Sequence, residues 1–330
     1  MKALYEGLAF GKATRDAYGE ALRDLGREHA DIVVLDADLA KSTKSAIFGE
    51  AFPDRFLNVG IQEANMVGMA GGLASSGKVP FISSFACFVV LKGFDQLRMA
   101  VAYPNLNVKV TGSHGGISVG PDGVSQQSTE DVSLACSLPH FVVCVPADEH
   151  EMRAAVKAAY AHKGPVYIRS MRPKAPLIYD AEPADFAFGR GSVVRDGNDA
   201  TVVANGLLVG AAVVAHERLR QEGVSLRVVN MATVKPLDED LVERAARETG
   251  AIVAAEEHLL HGGLGARVAQ AVARLHPVPM EFVALDDTYA ESGEPEALMR
   301  KYGLTADDVV AAVRRVMARK AERSLAERSA

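Results

Sequence analysis

The stretch from Arg55 to Arg98, RFLNVGIQEANMVGMAGGLASSGKVPFISSFACFVVLKGFDQLR, constrains this chain most. It sets one acidic residue, Glu63, at the head of an apolar, small-residue segment, and then offers Phe81, Phe85 and Phe88. A carboxylate in such surroundings has to find a hydrogen-bond partner or give up its charge. Residues 62–75 predict a helix although Gly68, Gly71 and Gly72 interrupt it. Glycine weakens helices, so its accumulation predicts close approach to another backbone or to a ligand.

Strand and helix patterns alternate on both sides of this stretch. Helices are predicted at 8–28, 85–102 and 148–162. Short apolar runs predict strands at 31–36, 58–60, 80–83, 107–111, 141–145 and 165–169. Such alternation predicts an α/β domain built on a mostly parallel sheet. The proline-bearing residues 171–189 lack periodicity and predict a linker. A second, smaller α/β unit follows, with strands at 200–204, 225–230, 251–256 and 281–285 and helices at 210–222, 238–249 and 265–275. The division expected is 1–178, a linker at 179–190, a second domain at 191–315, and a charged tail at 316–330 that is helical or frayed.

Length and charge narrow the function. A chain of 330 residues can bury two cores. Its net charge of -6, with both signs interspersed, gives no polybasic surface for nucleic acid or an anionic membrane. No apolar run reaches membrane-spanning length and no basic-apolar leader is visible, so a cytoplasmic location is expected. Cys87, Cys136 and Cys144 sit in apolar contexts without metal-ligand spacing and read as buried thiols. His258 and His261 in EEHLLHGGLG are too few for a metal site, so no metal is assigned to this chain.

Two loops remain. ADLAKSTKS at 37–45 follows a strand, where open parallel sheets bind ligands. The glycine-rich segment 112–127, GSHGGISVGPDGVSQQ, is longer than a simple turn. Taken alone, every candidate has an ordinary reading. Glu63 is a charge at a helix start. Phe85 and Phe88 are a core stripe, His114 an idle exposed ring, Ser42 a turn hydroxyl and Arg172 a linker charge.

Taken together, the motifs are specific. DADLAKST at 36–43, FPDRFLNVGIQEANMVGMAGGLA at 52–74, PFISSFACF at 80–88, GSHGGISVGPDGVSQQSTED at 112–131, VCVPAD at 143–148, VVNMATVKPLD at 228–238 and VAAEEHLLHGGLG at 253–265 follow one family's order. The chain resembles the C-terminal half of transketolase, a thiamine-diphosphate-binding pyrimidine-type domain followed by a transketolase C-terminal-like domain. The resemblance implies that Glu63 hydrogen-bonds N1′ of the cofactor's aminopyrimidine, that Phe85 and Phe88 form its pocket, and that Asp38 and Leu39 approach it. It further implies that His114 contacts substrate or reacting atoms, that Asp122 binds a ketose hydroxyl, and that Ser42, Gln126 and Arg172 belong to the substrate's phosphate end.

Three departures are expected to matter. Leu91 stands where the pocket has a further aromatic. Gln126 replaces a histidine. Gly11 occupies the place assigned to a phosphate-site arginine, which leaves three alternatives open: a different phosphosugar, a non-phosphorylated ketose, or recruitment of a nearby arginine such as Arg15 or Arg169. No motif for binding diphosphate and Mg2+ is found, so a partner carrying the N-terminal section is implied, in an α2β2 assembly. The C-terminal domain is expected to serve packing and assembly, not chemistry. Two other functions stay open: a 2-oxoacid dehydrogenase E1 β subunit, suggested by GFDQLR, VKPLD and GGLG, and a non-catalytic assembly or regulatory subunit.

Overall fold

The computed structural model describes residues 1–329. Seven strands form the first sheet, in the spatial order Thr233–Lys235, Val142–Cys144, Val166–Arg169, Lys109–Ser113, Val79–Phe85, Ile32–Asp36 and Phe56–Asn58. Six of them are parallel; Thr233–Lys235 joins the edge antiparallel. Alternate side chains enter two different cores. Val34, Phe81 and Ile168 pack among Tyr18, Phe48 and Met152, whereas Leu35, Ile82 and Tyr167 pack among Met66, Val101 and Val229. Burial on both faces explains why these strands read as continuous apolar runs.

The second sheet has five strands in the order Met280–Leu285, Ile252–Leu259, Ala200–Ala204, Leu226–Asn230 and Ser192–Arg195, the last antiparallel. A two-stranded ribbon pairs Phe10–Ala13 with Lys174–Pro176. Residues 171–189 are therefore not a free linker, and the first long helix starts at Thr14 because Phe10–Ala13 is extended. Asp148 caps the helix Glu149–Ala161 by accepting from the Glu151 amide. The tail continues a helix running from Ala306 to Ser329, and Ala330 lies outside the described residues. Among the described residues, no helix is long and apolar enough to cross a membrane.

One element crosses the expected boundary. Thr233–Lys235 comes from the second half of the chain but completes the first sheet. Accordingly, Val203, Val229 and Val234 share one apolar cluster with Leu35 and Val110.

Candidate active site

The candidate residues follow the C-terminal ends of neighbouring strands. Asp36 ends one, Phe85 the next, Ser113 the third and Arg169 the fourth, and consecutive pairings hold these strands in register. Residues far apart in sequence thus reach one edge of the sheet, where ligands of open α/β sheets bind.

Glu63 is the first residue of the helix Glu63–Ser75 and is 3% exposed. Its Oε1 has no hydrogen-bond partner, and its Oε2 lies 3.8 Å from Lys92 Nζ. The ammonium also sits 4.4 Å from the centroid of Phe88. A helix start favours a negative group, but an unmet buried acceptor is costly. Oε1 therefore carries hydrogen-bonding capacity that no group among the described residues meets.

Phe85 and Phe88 stack at 5.6 Å with an interplanar angle of 18°. They do not lie on one helical face as the spacing predicted. Phe85 closes the strand Val79–Phe85, and Phe88 opens the π-helical turn Phe88–Lys92. A second π-helical turn, Leu97–Ala102, follows; such turns are frequent at functional sites. Leu91 lies in the first of these turns and is 46% exposed. An orphaned carboxylate oxygen, joined through the Lys92 ammonium to paired aromatic rings, suits a flat, nitrogen-bearing heteroaromatic ring.

Phe85 links this end to the glycine-rich loop, because its other neighbour is the His114 ring at 3.9 Å. His114 is buried, not idle at the surface, and takes the left-handed backbone with φ 61°. Its Nε2 lies 3.1 Å from an Arg15 Nη and its Nδ1 lies 2.8 Å from Ser113 Oγ. Guanidinium only donates, so Nε2 accepts and Nδ1–H donates to the serine. Burial, then the charges of Arg15 and Arg172, push the imidazole pKa down to about 3. The ring is neutral at physiological pH and acts as an acceptor.

Of the two arginines considered in place of Gly11, Arg15 is the one that lies at Ser42 and His114. Gly11 packs close to Glu149 and Leu177, where a Cβ would meet the carboxylate at 2.3 Å. Arg15 instead donates to Ser42 O at 3.0 Å as well as to His114, and its buried Nε has no partner. Arg172 donates to Val119 O and lies 3.6 Å from Asp122. Arg169, the other arginine considered, is committed elsewhere. It is 2% exposed, donates to Glu257 O and Ser128 O, and lies 3.2 Å from Asp131. Gln126 sits in the same loop, with its side-chain oxygen accepting from Ser125 Oγ at 2.5 Å.

The loop carrying Asp38, Leu39 and Ser42 is held by a residue the sequence reading passed over. Buried Asp36 accepts from the Leu39 amide at 2.6 Å, Thr43 Oγ1 at 2.7 Å and Ser45 Oγ at 2.8 Å. The visible signal was an aspartate at a strand end followed by Ser and Thr, the composition of a side-chain-stapled turn. Asp38 is exposed at φ 66° and accepts from Asn58. His258 is fully buried, with Nδ1 on Leu259 O and Nε2 accepting from the Ser133 amide.

Residues 11–176 match the transketolase pyrimidine-binding domain and residues 189–309 the transketolase C-terminal domain. A Clostridium protein described as 6-deoxy-6-sulfo-D-fructose transketolase subunit SqwH is 41% identical, over 93% of this chain and 95% of its own length. Human transketolase is 39% identical over 92% of this chain, which spans 48% of that enzyme. A solved structure described as a split gene transketolase, inactive beta4 tetramer, superimposes with a TM-score of 0.86 at 47% identity, covering 93% of this chain and 99% of the other. The chain is thus a member of the transketolase family, comprising its pyrimidine-binding and C-terminal domains.

Proposed function

We propose that this chain is the C-terminal-section subunit of a split transketolase, moving a two-carbon ketol unit from a ketose bearing an anionic group to an aldose. The observation that carries this reading is Glu63, buried at a helix start with Oε1 unpartnered and sharing the Lys92 ammonium with Phe88, whose ring stacks on Phe85. Thiamine diphosphate, when bound, supplies the nucleophilic carbon and the electron sink.

The residues of this chain have distinct tasks around it. Glu63 hydrogen-bonds the aminopyrimidine N1′, while Phe85 and Phe88 wall the ring and keep water from it. Asp38 and Leu39 line the side facing the partner. Arg15, Arg172, Ser42 and Gln126 hold the substrate's anionic end; the free Nε of Arg15 supports this, since phosphate or sulfonate would satisfy it. Asp122 accepts from a ketose hydroxyl, and His114 orients the reacting oxygen atoms and assists proton movement within the bound pair.

A second chain holding the diphosphate and Mg2+ completes the enzyme, in an α2β2 assembly. Two relatives support this: SqwH is described as a subunit, and the solved β4 tetramer is described as inactive. The free thiols Cys87, Cys136 and Cys144 suit the reducing cytoplasm. Calorimetric titration of thiamine diphosphate with Mg2+ tests the reading. Heat is expected only when the chain is mixed with an N-terminal-section protein, followed by ketol transfer from a ketose phosphate. Binding by the isolated chain would overturn the split site, and lipoyl acylation from pyruvate without ketol transfer would assign the chain to the E1 β class.

A further inference from the structure

The glycine-rich loop that carries His114 and Asp122 is fastened from the second domain. Glu257, on the strand Ile252–Leu259, is 3% exposed and sends its carboxylate across the domain seam. Its Oε1 accepts from the Ser118 amide at 2.6 Å and its Oε2 from Ser118 Oγ at 3.2 Å. Gly116 has φ +80°, and a Cβ there would stand 2.2 Å from the Glu257 carboxyl carbon. Only glycine lets the carboxylate lie this close beneath the loop. Farther along, Gln127 Nε2 donates to Glu291 O at 3.0 Å, and Gly120 and Gly123 pack against Pro295 and Ser292. The loop therefore rests on the second domain along much of its length.

The contact leads to the substrate end in two steps. Ser118 is gripped by Glu257, and the next residue, Val119, presents the carbonyl that accepts from Arg172. Arg172 in turn pairs with Asp122 at 3.6 Å. From the first domain, Arg169 donates to Glu257 O at 2.8 Å and to Ser128 O at 2.6 Å, tying the strand to the loop's far end.

We infer that Glu257 is a positioning residue for ketose binding: it holds Ser118 so that Arg172 and Asp122 face the substrate, and touches neither substrate nor cofactor itself. The C-terminal domain thereby sets substrate affinity. This rests on the transketolase reading for its kinetic consequence, but the loop restraint can be measured without turnover.

Three variants in the reconstituted complex test it. Glu257→Ala removes both acceptors. Glu257→Asp keeps the charge but withdraws it from Ser118. Glu257→Gln keeps length and an acceptor for the Ser118 amide. Glu257→Ala is expected to raise the donor-ketose KM about tenfold, with kcat and the apparent cofactor affinity changing less than about twofold. Glu257→Asp should rise severalfold, and Glu257→Gln should restore most of the affinity. Hydrogen exchange on the full-length chain should quicken about tenfold at the amides of 115–120 and 122–126 in the Ala and Asp variants and stay unchanged elsewhere.

A folded Glu257→Ala or Glu257→Asp variant with wild-type ketose KM and unaltered loop exchange would overturn the inference. If Glu257→Ala does not fold, Glu257→Asp decides the same question. A wild-type complex without ketol transfer would defeat the functional reading alone, leaving the exchange comparison to judge the restraint.

Discussion

Two regions bury glutamates, and they treat them in opposite ways. At the start of the helix Glu63–Ser75, Glu63 keeps one oxygen without any partner and the other 3.8 Å from an ammonium. On the strand Ile252–Leu259, Glu256 accepts from the Leu264 and Gly265 amides at 2.8 and 2.7 Å, and Glu257 gives both oxygens to Ser118 across the domain seam. Glu151, also at the seam, accepts from the Ala147 amide and from Asn230 Nδ2. Of these four glutamates only Glu63 leaves an oxygen unmet, and on the proposed function that oxygen is kept for a ligand while the other three hold the scaffold. Burial alone does not separate them, since Glu63 and Glu257 are both 3% exposed.

The strongest way to break this contrast is Glu63→Gln. Turnover in the reconstituted enzyme is expected to fall by about 10² to 10⁴, the span typical of a lost acid-base group, while the melting temperature holds because Oε1 forfeits no bond within the chain. A fall in melting temperature comparable to that of a seam variant would erase the distinction.

The seam carboxylate Glu151 sharpens the comparison through pH. Burial outweighs its hydrogen bonds and pushes its pKa up from 4.5 to about 7. Between those values the folded state binds the extra proton, so this group's contribution is fullest below pH 4.5 and is lost as pH rises through about 7. The change is about 3 kcal/mol. Denaturation midpoints of Glu151→Gln against wild type should therefore diverge from pH 5 to pH 8, the variant losing less stability; parallel curves would contradict the burial effect.

Glu256→Ala strips the partners from two amides at a helix start and should cost about 2 kcal/mol. Chemical denaturation measures it, and thiamine diphosphate affinity in the complex should stay within about twofold. At the smallest scale, Arg15→Gln should raise the KM for an anionic ketose about tenfold but barely alter that for a neutral one. It should also lift the His114 pKa from about 3, though not to the ordinary value, because burial is its first cause and persists. NMR titration of the ring reads this directly.

The parts legible in sequence were those set by local pattern. Apolar runs located the central strands, since burial on both faces demands them. Glu63 stood out because an acid among small apolar residues contradicts its surroundings. What stayed hidden was set by distant partners. Glu257 looks like one more residue at a strand end, and nothing near it names Ser118. Arg15 sits in the first turn of an ordinary helix, and only folding brings it to Ser42 and His114. Phe85 reads as helical because three-residue spacing to Phe88 also arises where a strand hands over to a π-helical turn. Asp36 reads in sequence as a strand end, and its three donors, which determine the shape of the next loop, are visible only in the fold.

The strand Thr233–Lys235, borrowed by the first sheet from the second half of the chain, makes the two domains one unit of manufacture. A chain ended at residue 178 would lack it and leave Val142–Cys144 as a bare edge, its buried valines exposed to solvent and to other chains. Such edges recruit foreign strands. A gene fission that separated these domains would yield an aggregating fragment, whereas a break ahead of Phe10 leaves every strand of both sheets on one polypeptide.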